Sequence, residues 1–108
     1  VLMGQAGDRL DKDIGDLVSA AAAIKPDRLL VCELPGYERG RAPMETSEVI
    51  CDKAFDAGVS QQVIELFDSP AAGVRAALAQ ARTGDVLVLL VLSQRDKVVD
   101  MISEFMEK

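Results

Sequence analysis

Two kinds of apolar pattern alternate along this chain, and the alternation restricts the fold more than any other feature of the sequence. Continuous apolar runs of the strand type occupy residues 1–3, 28–34, 62–67 and 86–92. Each run precedes a segment with apolar residues at helical spacing, over 12–24, 45–57, 70–81 and 95–107. Strands that are apolar on both faces and alternate with helices indicate a mainly parallel sheet covered on both sides. We therefore predict a three-layer α/β fold in the order β-α-β-α-β-α-β-α, with right-handed crossovers.

Proline and glycine mark several ends of these elements. Pro26 closes the first helical segment because proline cannot continue the hydrogen-bond ladder, and Gly58 is typical of the position just past a helix. Ser69 before Pro70 is the strongest helix start, since serine caps a helix and proline fits its first position. The chain begins inside an apolar run without an initiator methionine, so we expect it to be a fragment of a longer chain.

Length and composition favour one folded domain, residues 1–108. Hydrophobic residues make up 49% of the chain and charged residues 28%, which is typical of a soluble globular protein. The net charge of −6, without a basic cluster, disfavours a nucleic-acid partner. The longest apolar run is far short of the roughly 20 residues that span a bilayer, and no signal segment precedes it. We therefore expect a cytoplasmic protein with no membrane partner.

The chain lacks the residues of several common catalytic and metal sites. It contains no histidine, so the usual base for activating a serine or cysteine nucleophile is absent. Cys32 and Cys51 do not form a Cys-x-x-Cys pair, and we expect both to be buried, reduced thiols with no metal or disulfide. No Gly-x-x-x-x-Gly-Lys-Ser/Thr motif occurs, so the chain carries no P-loop of its own.

Two long loops carry the charged side chains that could form a binding site. Loops that leave the carboxyl ends of parallel strands line the ligand crevice of such sheets. The first loop, residues 4–13, contains glycines at 4 and 7, and the second, residues 34–44, contains Arg39-Gly40-Arg41. The charged candidates of the two loops and the helix start that follows are Asp8, Arg9, Asp11, Arg39, Arg41 and Glu45.

Each of these features has a functional and a structural interpretation. The glycines near a helix N-terminus would let backbone amides approach an anion, or they serve as turn glycines beside a helix capped by its own carboxylates. Arg39 and Arg41 are suited to carboxylate or phosphate groups, or they pair with neighbouring glutamates in a solvated loop. Glu33, at the end of its strand, would either reach a cationic ligand group or face solvent.

The order of these motifs resembles the C-terminal domain of the Mur ligase superfamily, and most closely the C-terminal part of cyanophycin synthetase-like proteins. The resemblance covers nearly the whole chain. Gly7-Asp8-Arg9 followed by spaced acidic residues and Ile14 matches one family motif. Arg39-Gly40-Arg41 followed by Glu45 matches the second, with Met44 where the family has glycine. An alanine-rich helix leading through Gly-Asp to an apolar strand corresponds to residues 71–92.

This resemblance implies a Rossmann-like lobe of an ATP-dependent amide-bond ligase. Members of the family activate a carboxylate as an acyl phosphate on a central P-loop domain, and the amine of an incoming amino acid then attacks it. The C-terminal lobe closes over that domain and helps to bind the amino acid. ATP and Mg²⁺ would be held mainly by the central domain, which this chain lacks, so the span alone is expected to be inactive.

Carried over residue by residue, the resemblance assigns substrate and nucleotide binding to the two loops. Asp8, Arg9 and Asp11 belong to the loop that would face the nucleotide, and Arg39, Arg41 and Glu45 to the second. The implied partners are the central P-loop domain of the same parent chain and a small amino-acid substrate. No catalytic residue and no metal ligand is assigned.

Two other classes of protein fit parts of the sequence. A binding or regulatory α/β module could keep the fold of the lobe without its catalysis, because a fold does not determine a function. A flavodoxin-like or receiver-like domain fits less well, since the last strand is followed by Ser93-Gln94 and Lys97 falls inside the next helix.

Overall fold

A computed structural model describes residues 1–107 and contains a parallel sheet of three short strands. These are β1 (Leu2–Met3), β2 (Leu29–Cys32) and β3 (Ile64–Phe67), and β2 lies in the centre with parallel neighbours on both sides. The helices are α1 (Asp11–Ala23), α2 (Glu45–Asp56), α3 (Pro70–Gln80) and α4 (Arg95–Met106), and a 3-10 turn covers Gln61–Val63. The α/β fold class is therefore confirmed, and the sheet is compatible with a Rossmann-like architecture.

Alternating side chains of the strands fill two apolar layers, one on each face of the sheet. In β2, Leu29 and Val31 point to one face and Leu30 and Cys32 to the other, as the two-residue period of a strand requires. The first face packs against α1 and α2, and the second against α3 and α4. The predicted coverage of both faces by helices is confirmed.

The predicted third strand is two residues too long. Residues 62–67 have one apolar pattern, but the chain forms a 3-10 turn at Gln61–Val63 and only then enters β3. Ser60 causes this turn, because its hydroxyl accepts a hydrogen bond from the Gln62 amide at 3.2 Å. A local side-chain cap therefore delays the strand.

The fourth predicted strand, residues 86–92, is reduced to a single parallel bridge between Leu89 and Leu2. The Leu2 amide donates to the Val88 carbonyl at 2.9 Å, and the Leu90 amide donates to the Leu2 carbonyl at 3.0 Å. The prediction of a buried strand is wrong here for a physical reason. The segment pairs with β1 only through Leu89, and within residues 1–107 nothing covers its outer edge.

Helix α3 begins as the sequence predicts. The Ser69 hydroxyl accepts a hydrogen bond from the Ala72 amide at 3.1 Å, and Pro70 occupies the first turn. No described helix combines the length and the apolarity needed to cross a bilayer.

Candidate functional site

The two charged loops meet at the carboxyl edge of the sheet, as predicted. The Gly7 amide donates a hydrogen bond to the Tyr37 carbonyl at 2.8 Å. A Cβ atom on Gly7 would lie 1.7 Å from the carbonyl oxygen of Glu38, so only glycine permits this approach of the two backbones. The structural interpretation of this glycine holds, because its amide is already bonded within the chain.

Arg41 connects the two loops through its guanidinium. Its Nε donates to the Gly7 carbonyl at 2.8 Å, and one terminal nitrogen donates to the Arg9 carbonyl at 2.9 Å. The same nitrogen forms an ion pair with Asp11 at 2.6 Å, and the other lies 3.5 Å from Glu45. The hydrogen bond to Asp11 is the main cause that raises the pKa of Arg41. Its side chain is only 17% exposed, so Arg41 braces the site from within.

The remaining charged candidates lie outside this brace. Asp8 and Arg9 are exposed, and within residues 1–107 no ion pair or hydrogen bond engages their side chains. Arg39 is also exposed, and its guanidinium carbon lies 5.2 Å from the centre of the Tyr37 ring. The backbone conformation explains why the Arg39 side chain points outward and the Arg41 side chain points inward. Arg39 and Gly40 both have positive φ, at 52° and 91°, so the tight turn sends Arg39 outward and Arg41 inward.

Glu33 is buried and bonded within the protein, so neither interpretation made from the sequence is correct. Its side chain accepts a hydrogen bond from the Ser47 hydroxyl at 2.9 Å, and its second oxygen accepts one from the Met44 amide. It is 8% exposed. Met44 precedes α2 in a left-handed conformation, with φ of 67° and no side-chain cap of its own. Glu33 therefore caps α2 from the position directly after β2, and its negative charge is favourable at the helix N-terminus.

Two shorter loops at this edge, residues 67–70 and 93–95, are also linked by a hydrogen bond to a side chain. The Gln94 side chain accepts a hydrogen bond from the Ala71 amide at 3.0 Å, which links the start of α4 to the start of α3. Sequence reasoning missed this contact, because a glutamine with positive φ ahead of a helix has no distinctive signature. The contact keeps the 93–95 loop close to the 67–70 loop.

The thiols and carboxylates of the described residues offer no metal centre. Among residues 1–107, no group of three or more Cys, Asp or Glu side chains is placed to hold a metal ion. Cys32 and Cys51 are both free thiols, and the Cys32 thiol donates to the Met3 carbonyl at 3.5 Å. Burial raises the pKa of Cys32 to about 11 and also raises that of Cys51, so both thiols stay protonated near neutral pH.

The fold and this edge define an α/β protein with a parallel sheet and a rim of mixed charge where its loops meet. The rim is defined here as the exposed side chains of Asp8, Arg9 and Arg39 around the brace formed by Arg41, Asp11 and Glu45. No protein-family model, curated protein or solved structure matches the chain. The resemblance to the Mur ligases consequently remains a prediction.

Proposed function

We propose that this chain is the closing lobe of an ATP-dependent amide-bond ligase of the Mur or cyanophycin synthetase type. The observation that carries the proposal is the rim itself. Two loops that are far apart in sequence are held together by Arg41, and they present Asp8, Arg9 and Arg39 at the carboxyl edge of a parallel sheet. This is the edge at which such sheets bind ligands.

The charges on the rim suit the chemistry of amide-bond formation. An acyl phosphate is anionic, and an arginine such as Arg39 can pair with its phosphoryl oxygens or with a substrate carboxylate. An incoming amino acid also carries a cationic group, and the Asp8 carboxylate can form an ion pair with it. ATP and Mg²⁺ belong to the central P-loop domain in this proposal, and closure of the lobe excludes water from the acyl phosphate.

The first test is made on the complete parent enzyme, if the parent gene encodes a P-loop upstream of Val1. Arg39→Ala is expected to lower kcat/KM at least tenfold, which corresponds to about 1.4 kcal/mol at the transition state. Arg75→Ala, an exposed arginine in α3 that belongs to no loop of the rim, should leave the kinetics unchanged. Equal kinetics for the Arg39 variant and the parent enzyme would remove Arg39 from the site.

The position of Arg41 favours a second candidate, a non-catalytic α/β binding or regulatory module. All of its contacts are made within the chain, so the brace needs no substrate or second domain to form. Calorimetric titration of the 108-residue chain with Mg²⁺-ATP and with free arginine separates the candidates. A closing lobe should bind neither tightly by itself, whereas a sensor module should bind its ligand alone. A parent gene without a P-loop would exclude the ligase.

A further inference from the structure

Within the described part of the chain, the outer edge of residues 86–92 has main-chain groups without partners. Leu2 bonds to Val88 and Leu90, which lie on either side of Leu89. In a parallel pair, the amide and carbonyl of the residue between those two point away from the neighbouring strand. Leu89 therefore turns its main-chain groups outward, and no hydrogen bond within residues 1–107 uses the main-chain groups of Leu87, Leu89 or Val91.

The same edge exposes apolar side chains. Val86 is 84% exposed, Leu90 40% and Leu92 51%. Residues 86–92 contain no charged residue and no proline. Charged side chains and proline usually protect an open edge from pairing. An apolar and unprotected edge pairs readily with another strand.

We propose that a second copy of this chain pairs with residues 86–92 in antiparallel orientation across a two-fold axis. Two identical edges related by such an axis always meet antiparallel and close into a dimer, so this edge is not left open to propagate a fibre. The pairing would join the sheets of both copies and cover Leu90 and Leu92.

The charges along the segment favour a second copy as the occupant. The chain has a net charge of −6, so two copies repel each other over most of their surface. Residues 86–94 carry no charge, and this neutral stretch is bounded by Asp85 on one side and Arg95 on the other. Antiparallel pairing centred on Leu90 brings Asp85 of each copy toward Arg95, at the start of α4, of the other. The Asp85 carboxylate also accepts a hydrogen bond from the Arg82 amide at 2.8 Å, and its charge gives an attractive contact at each end of the interface.

Sedimentation equilibrium on the 108-residue chain tests the proposal. A dimer is expected at concentrations up to about 100 µM, a range in which micromolar dissociation constants are measurable. Leu90→Lys should raise the dissociation constant at least tenfold, because it places two positive charges close together at the centre of the interface. Leu66→Lys is the matched control, since Leu66 is 50% exposed on β3 at the opposite edge of the sheet. It should leave the constant unchanged.

A charge exchange tests the register of the pairing. Arg95→Asp should weaken the dimer at least tenfold, because it faces Asp85 with a like charge, while the helix tolerates an acidic residue in its first turn. Arg75→Asp changes the net charge equally on the exposed surface of α3 and should have no such effect. The double variant with Asp85→Arg and Arg95→Asp should recover the dimer.

Hydrogen exchange distinguishes the possible occupants of the edge. In the dimer, the amides of Leu87, Leu89 and Val91 should be protected at high concentration and should exchange on dilution. A monomer at about 100 µM would overturn the proposal, whether the amides exchange freely or are protected by another segment. A dimer that dissociates with Leu66→Lys but not with Leu90→Lys would overturn it as well.

Discussion

Glu33 and Arg41 stabilise the carboxyl edge of the sheet through charged hydrogen bonds. Glu33 accepts from Ser47 and Met44, and Arg41 donates to two backbone carbonyls and to Asp11. Charged hydrogen bonds between partly or fully buried groups are stronger than neutral ones. Both residues lie where a ligand-binding loop would have to be rigid. The charges of Glu33 and Arg41 therefore hold the loops in place, and other charged side chains remain exposed at the rim.

Replacement of Glu33 by glutamine should destabilise the protein. In Glu33→Gln the carboxylate charge at the N-terminus of α2 is lost, so the charged hydrogen bonds to the Met44 amide and the Ser47 hydroxyl become weaker neutral ones. We expect the free energy of unfolding to fall by about 1 to 3 kcal/mol, measured by urea denaturation.

Glu38→Gln is the control for this prediction. Glu38 is only partly buried and accepts one longer hydrogen bond, from the Gly36 amide at 3.3 Å. Its substitution should change the free energy of unfolding by less than about 0.5 kcal/mol, as is usual for surface positions. Equal losses for both variants would mean that Glu33 does not cap α2.

At the scale of elements, local side-chain chemistry was predictable from the sequence and contacts between elements were not. Ser69 and Pro70 specify the start of α3 with adjacent residues, and the structure has the predicted cap. The cap of α2 comes from Glu33, which follows β2 directly and lies eleven residues before Met44. No local pattern contains that information. The apolar content of residues 86–92 predicted burial, but burial depends on neighbours that the segment itself does not encode.

The position of the two loops was predicted from the sequence, but the arrangement of their side chains was not. The two loops and their position at the carboxyl edge follow from the order of strands and helices. The different directions of Arg39 and Arg41 follow from two consecutive positive φ values, which a tripeptide sequence does not fix. Glycine at 40 allows such a turn without requiring it.

The contact between the two loops can be tested by one pair of glycine substitutions. Gly7→Ala should lower the free energy of unfolding by about 2 kcal/mol or more, because the new Cβ would overlap the Glu38 carbonyl and force the loops apart. Thermal and urea denaturation measure this loss.

Gly15→Ala is the control, and we expect it to leave the free energy of unfolding unchanged or to raise it. Gly15 lies inside α1, where alanine is favoured by about 0.5 to 1 kcal/mol over glycine. Its Cβ would come nearest to the side chain of Lys53, at 3.2 Å, and that flexible chain can move. A loss of stability in the Gly15 variant as large as in the Gly7 variant would contradict the loop contact as the cause.

For the whole molecule, the buried thiol of Cys32 predicts how stability depends on pH. Its pKa is raised from 9.0 to about 11 by burial. Between these values the unfolded chain releases a proton that the folded chain retains, so the free energy of unfolding falls as the pH rises. This contribution is fully present below about pH 9 and is lost by about pH 11, with a total of about 2 to 3 kcal/mol.

Urea denaturation between pH 8 and pH 11 tests this dependence, with Cys32→Ala as the variant. The alanine variant should lose less stability over this range than the parent protein. Cys51→Ala is the control. Because Cys51 is only partly buried, this substitution should reduce the dependence of stability on pH less than Cys32→Ala does. Parallel curves for the parent and the Cys32 variant would show that another group causes the loss.

The stacking of Arg39 on Tyr37 gives the molecule an optical reporter. Tyr37 is the single tyrosine of the chain and there is no tryptophan, so the ultraviolet emission of the protein arises almost entirely from one ring in the second loop. A ligand that draws Arg39 away from that ring changes the surroundings of this fluorophore. Binding at the rim can therefore be followed by the intrinsic fluorescence of the native chain, without a dye or an introduced label.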